Sequence, residues 1–146
     1  MKKVQLSPNL WLHEYIPKEM YLDYEKKGKL HHLRWMIDDR LINADQALRD
    51  RFGSLTINNW ASHGSRKWSG LRTPGSPYYK EASSHSFGRA SDKIFSSATA
   101  EEVRDEIKKN QAYWKLQGIT AIEDGVSWVH SDCRPNNSDE ILIFNP

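Results

Sequence analysis

A chain of 146 residues, 38% hydrophobic and 27% charged, is long enough for one compact domain with a real core and too short for two. Its formal charge of +2 gives little pull toward polyanions, so nucleic-acid binding is not expected, and no apolar run reaches the length of a membrane span. The single cysteine, Cys133, excludes an internal disulfide framework.

The start, Met1-Lys2-Lys3-Val4-Gln5-Leu6-Ser7-Pro8, is basic but lacks the apolar stretch of a secretory signal, so synthesis in a cytoplasm is expected. Residues 1–32, with Trp11, Tyr15, Ile16 and Pro17, read as an ordered arm lying on a single domain that spans 1–146. Leu33, Ile37, Leu41 and Leu48 recur at near-helical spacing and Gly53 stops the run, which predicts a helix from about 33 to 52. Residues 54–60 alternate like a strand. Residues 61–84 are rich in Gly, Ser, Pro and Arg, and a loop of that length inside a domain is more often functional than idle.

Thr99 and Glu102 form a capping box, so a second helix is expected to start there. It should run through Val103, Ile107 and Trp114 and end before Gly118. Short strands are expected around 119–122, 127–133 and 141–144. Helices first, then strands with a helix inserted, predict an α+β fold with a small antiparallel sheet packed against two main helices.

The most informative stretch is Ser83-Ser84-His85-Ser86-Phe87-Gly88-Arg89-Ala90-Ser91-Asp92. His85 is expected on a turn and Asp92 on the strand after it. Gly88 lets the chain bend, and Ala90, on the same strand face as Asp92, leaves room for an ion beside the carboxylate. Further on, Trp128-Val129-His130-Ser131-Asp132 supplies a second histidine in a strand-like setting. Alternation puts His130, Asp132 and Arg134 on one face and Val129, Ser131 and Cys133 on the other. Two histidines and one carboxylate are the protein ligand set of a catalytic zinc site, which keeps a fourth position open. The bland alternative is a loop histidine and a hydrogen-bonded core histidine, but the joint pattern favours Zn²⁺ held by His85, Asp92 and His130. Asp132 is then a supporting group behind His130 or a partner of Arg134.

Ser83-x-His85-x-x-Gly88-x-Ala90-x-Asp92, followed by Trp128-Val129-His130-x-Asp132, resembles the zinc D-alanyl-D-alanine carboxypeptidases and L-alanyl-D-glutamate endopeptidases. These are phage and bacterial enzymes of peptidoglycan peptides that share their fold with the Hedgehog signalling domain. The resemblance covers roughly residues 54–134. It implies a Hedgehog-like peptidase fold, His85, Asp92 and His130 as zinc ligands, and Ser83 and Asp132 as supporting residues. Ser69-Gly70-Leu71-Arg72 looks like the family's Ser-Gly-aromatic-Arg segment, with Leu71 in the aromatic place. There the arginine polarises the substrate carbonyl, a task suited to a permanent charge and a fixed fork of donors. The alternative for Arg72 is a loop arginine paired with a carboxylate.

A zinc peptidase also needs a general base. The carboxypeptidase branch carries a glutamate three positions before the second histidine, where this chain has Ser127. The nearest acids upstream are Glu123 and Asp124, with Glu123 the first choice and Asp124 the second. As plain structure, Glu-Asp-Gly is good material for a hairpin turn. Cys133 is expected on the opposite strand face as a small buried thiol, and His31 and His32 as solvated surface. His63, Trp60, Trp68, Tyr78 and Tyr79 flank the expected site.

These readings imply a monomeric zinc metallopeptidase that hydrolyses peptidoglycan stem or cross-link peptides, either as an endopeptidase or as a carboxypeptidase. It would be a phage or prophage endolysin, made in the host cytoplasm and acting at the cell wall or periplasm. The rival expectation is a catalytically inactive zinc-containing binding module, or a virion structural protein of the same fold.

Overall fold

The computed structural model describes residues 1–146 as an α+β fold of five helices and two sheets. Strands β1 (Gln5–Ser7) and β2 (Leu10–Trp11) form a small antiparallel hairpin. Helices α1 (Lys18–Lys26) and α2 (Leu30–Arg34) follow, then α3 (Asp39–Phe52). The main sheet is built from β3 (Leu55–Thr56), β4 (Ala90–Phe95), β5 (Ala121–Glu123), β6 (Val129–Asp132) and β7 (Leu142–Phe144), in the order β3-β4-β6-β5-β7. Helices α4 (Ala100–Lys109) and α5 (Gln111–Gln117) separate β4 from β5.

The helix expected over 33–52 is two helices. Asp38 leaves helical geometry (ψ 133°), and its carboxylate accepts the Arg40 N–H at 2.9 Å to cap α3. Its own N–H donates to the Gly88 carbonyl, which ties the break to the turn that carries His85. Leu33, Ile37 and Leu41 are all buried, so the apolar rhythm crosses the break and conceals it. The second expected helix opens with the Thr99–Glu102 capping box and breaks once at Asn110, whose backbone leaves helical geometry (φ −121°, ψ 43°) while its side chain donates to the Glu106 carboxylate.

The strand expected over 54–60 shortens to two residues. Beyond Thr56 the backbone turns to other partners: the Asn58 N–H donates to the Glu14 carbonyl, and the Asn58 side chain accepts from the Ser69 N–H. The main sheet is mixed, not antiparallel throughout, because β7 runs parallel to β5 on the far edge. Alternation along 141–144 fixes which side chains share a face but not the direction of pairing.

Residues 1–32 do more than lie on the domain. Leu10, Leu12, Tyr15, Ile16, Tyr21 and Leu30 enter the same buried cluster as Leu41, Leu48, Val103, Trp114 and Val129. Helix α3 packs on β4 and α4 on β6, so one face of the sheet is covered by helices. The other face carries the candidate site.

Candidate metal centre

Strand register builds the centre across four strands. Asp92 on β4 pairs with His130 on β6, and His130 pairs with Glu123 on β5, whose parallel neighbour on β7 is Phe144. Paired residues share a face, so these four side chains form one row across the sheet. His85 joins them from a 3-10 turn, Ser84–Phe87. The Ser83 hydroxyl accepts the His85 N–H to start that turn, and Gly88 closes it at φ 66°. A Cβ at Gly88 would collide with the Met36 carbonyl, so the turn requires glycine.

His85, Asp92 and His130 are all buried, and their candidate ligand atoms lie within 4.8 Å of one another. His85 Nδ1 donates to the Gly70 carbonyl at 2.7 Å, which leaves Nε2 facing Asp92 Oδ1 at 3.3 Å. His130 is held the opposite way round. Its Nε2 donates to Asp132 at 2.9 Å, and its Nδ1 lies 2.8 Å from the same Asp92 oxygen. Each imidazole thus spends one nitrogen on an outer partner and turns the other inward.

When both rings are neutral, two lone pairs and a carboxylate converge, an arrangement that only a cation among them relieves. A proton on His130 meets that need: burial lowers its pKa, but hydrogen bonds to Asp132 and Asp92 outweigh burial and raise it. A metal ion meets it with both rings neutral, and outer partners of this kind are what hold metal-ligating imidazoles in place. The buried His-Asp-His cluster can therefore hold a metal ion.

Asp92 is anchored on every side. Its N–H donates to the Ser69 carbonyl at 2.7 Å, its carbonyl accepts Arg66 Nη2 at 2.9 Å, and its second oxygen accepts Arg72 Nη2 at 2.6 Å. Burial raises its pKa, yet the hydrogen bonds from His130 and His85 more than offset this and hold it far below the usual carboxylate range. Asp132 behaves alike: burial opposes ionisation, but hydrogen bonds from His130 and Arg134 hold it at about 2. Arg134 also lies over the Phe144 ring, 4.7 Å from its centroid. Ala90 and Ala121 flank Asp132 on the neighbouring strands, so the small residue at 90 borders the Asp132–Arg134 pair and is one row removed from the ligands.

The centre opens into a cleft of about 1030 Å³. The loop over 65–84 supplies more than half of its lining, including Trp68, Arg72 and Tyr78, and β5, β6 and β7 add Glu123, His130 and Phe144. Glu123 is half-buried there and enters no ion pair or side-chain hydrogen bond within the chain. Asp124 does not line the cleft. It pairs with Lys108 at 2.7 Å and Arg104 at 3.2 Å, on the α4 side. Ser127 is exposed in the bend before β6 and is also absent from the lining.

Comparison with family models, curated proteins and solved structures returns no match. The chemistry of the cleft is therefore read from its own residues. Arg72 is both a cleft residue and the partner of a carboxylate, with its Nε on the Trp68 carbonyl at 2.9 Å and its Nη1 hydrogens unused by the chain. Leu71, in the aromatic place of the motif, is a core residue. Trp60 is buried with its indole N–H on the Ile16 carbonyl, and neither His63 nor Tyr79 reaches the lining. His31 is exposed; His32 stacks on Trp35 with ring centroids 4.9 Å apart.

Two buried charged residues behind the candidate ligands are not among the residues the sequence singled out. Lys93 follows Asp92, is fully buried, and pairs with fully buried Asp45 at 2.6 Å. Both leave a sequence signal: Lys93 takes an inward position of its strand, and Asp45 falls on the apolar stripe of α3 between Leu41 and Leu48.

Proposed function

We propose that this chain is a zinc metallopeptidase that hydrolyses peptide bonds in peptidoglycan stem or cross-link peptides, with a Hedgehog/D-Ala-D-Ala peptidase-like fold. The observation that carries it is the inward turn of His85 and His130 onto Asp92, with the unpaired carboxylate of Glu123 in the same cross-strand row inside an open cleft. Two imidazoles and one carboxylate suit Zn²⁺, and three protein ligands leave a position open. Zinc, when bound, supplies Lewis acidity that makes water a nucleophile at neutral pH and polarises a carbonyl.

The chain's own residues supply the remainder. Glu123 accepts a proton from the attacking water as its oxygen bonds the carbonyl carbon, and delivers it to the amine as the C–N bond breaks. Arg72, through its free Nη1 hydrogens, holds the substrate carbonyl, while its Nη2 keeps Asp92 in place and its Nε is fixed on the Trp68 carbonyl. Trp68, Tyr78 and Trp128 give the cleft flat apolar walls for a peptide. On this reading the protein is a phage or prophage endolysin, made in the host cytoplasm and working as a monomer at the cell wall or periplasm. The test is digestion of purified peptidoglycan, with released fragments identified by mass. New amino termini that vanish on chelation and return with zinc are expected. Intact stem peptides after incubation with zinc-loaded protein would sink the reading, and the fragments also separate endopeptidase from carboxypeptidase action.

A second reading, a zinc-containing binding or virion structural module without catalysis, is favoured by Ser127 in place of the acid of the carboxypeptidase branch and by the commitment of Arg72 to Asp92. It expects zinc-loaded wild type to leave the wall uncut while still binding it.

A further inference from the structure

Asp45 is the hub of a buried polar cluster on the helix-covered face of the sheet. One carboxylate oxygen pairs with Lys93 Nζ at 2.6 Å; the other accepts the Tyr15 hydroxyl at 2.9 Å and the Ser91 hydroxyl at 2.7 Å. Lys93 also donates to the Ser131 hydroxyl at 2.6 Å. An apolar pair of similar size serves stability about as well as a buried ion pair, so stability alone does not account for this one.

The position of the cluster does. Ser91 and Lys93 flank Asp92 in β4, and Ser131 follows His130 in β6. Their side chains occupy the opposite face from the ligands, yet each is one residue from a ligand. Tyr15 carries the cluster to the third ligand: its carbonyl accepts the Leu71 N–H at 2.7 Å, and a Cβ at Gly70 would collide with its backbone. Gly70 presents the carbonyl that orients His85. The carboxylate on α3 therefore touches residues that support Asp92 and His85, and reaches the neighbour of His130 through Lys93.

We infer that the Asp45–Lys93 pair is a positioning device that sets the mutual geometry of His85, Asp92 and His130 from behind the sheet. The inference rests on the metal-site reading. Apolar neighbours tolerate small shifts, whereas here a shift of β4 against β6 pulls the buried ammonium off the Ser131 hydroxyl, and a shift of β4 against α3 leaves it without its carboxylate. A one-residue slip of β4 would also turn Asp92 from the cleft to the helix-covered face, away from His130.

The test compares wild type with the Asp45→Asn/Lys93→Met double variant, which removes both charges at once. Zinc affinity is measured by competition with a chromophoric chelator, and the Co²⁺-loaded proteins by visible absorption, after circular dichroism shows a folded chain. Zinc affinity is expected to fall about tenfold or more, within the range known for outer-shell losses, with a changed cobalt spectrum. Tyr15→Phe and Ser131→Ala each remove one spoke; smaller losses in the same direction are expected, and they carry the test if the double variant does not fold. Folded variants with wild-type affinity and an unchanged cobalt spectrum would overturn the inference. Wild type that binds neither metal removes the metal reading and this inference with it, an outcome visible before any variant is compared.

Discussion

Glu123 stands directly across the strand pair from His130, and Asp92 stands across from His130 on its other side. β6 lies between β4 and β5, so one imidazole has a ligand carboxylate on one flank and an unpaired carboxylate on the other. The proposed base and a candidate metal ligand are brought side by side by sheet order, from positions that show no sequence motif linking them.

Glu123→Gln keeps the size of the side chain and removes its proton acceptance. Wall-peptide cleavage is expected to fall by about 10²–10⁴-fold, the usual scale for loss of a general base, with zinc content unchanged. Asp124→Asn should leave turnover close to wild type, because Asp124 faces Lys108 and Arg104. Fragment release by mass spectrometry and metal analysis of the same samples check both.

Zinc should stabilise the fold by mass action. At about 100 times its dissociation constant the gain is about 2.7 kcal/mol, read as a rise in melting temperature. His85→Ala should abolish the rise, since it removes one of the three converging donors.

Asp132→Asn leaves a hydrogen-bonding group beside His130 but removes the charge that also holds Arg134. Zinc affinity is expected to drop about 10–100-fold with the fold intact. Competition with a chelator measures it.

Gly88→Ala places a Cβ at φ 66° against the Met36 carbonyl. A cost of about 2 kcal/mol or more is expected in urea unfolding, from the left-handed backbone alone and more from the collision. Because Gly88 closes the turn that carries His85, metal affinity should fall as well.

Alkaline pH should weaken the fold. Burial, with the Asp38 carboxylate adding, pushes the Cys133 thiol up to about 12 from its ordinary 9.0. Burial, then Asp45, raises the Tyr15 phenol well above 10.0. Folded-state pKa values above the unfolded ones mean that the unfolded chain loses these protons first. The Cys133 contribution is complete below about pH 9 and the Tyr15 contribution below about pH 10; above those values each is lost at up to about 1.4 kcal/mol per pH unit. Urea unfolding at pH 8, 9.5 and 11 tests the sign, and Cys133→Ala should flatten the slope between about pH 9 and 10, before the unfolded phenol ionises. Native Cys133 should also resist thiol reagents that modify it in urea.

Much of the site was legible because its parts are local. The spacing His85-x-x-Gly88-x-Ala90-x-Asp92 and the alternation of His130 and Asp132 name ligand types and strand faces without knowledge of the fold. The break at Asp38 was not legible, because Ile37 and Leu41 continue the rhythm of Leu33 across it. The parallel direction of β7 was not legible either, since alternation is blind to direction.

The sequence by itself determined which atoms are available: two imidazoles, a run of carboxylates, an arginine loop and a glycine where only glycine fits. Periodicity also assigned faces, because side chains alternate along a strand whatever lies beside it. Only the tertiary structure decided which strands are neighbours, and hence that Glu123 and not Asp124 joins the row, that Arg72 braces Asp92, and that Asp45 and Lys93 sit behind the ligands. Those relationships join residues far apart in the chain. Register, burial and charge pairing fix them at once, and none of these is a property of any short segment alone.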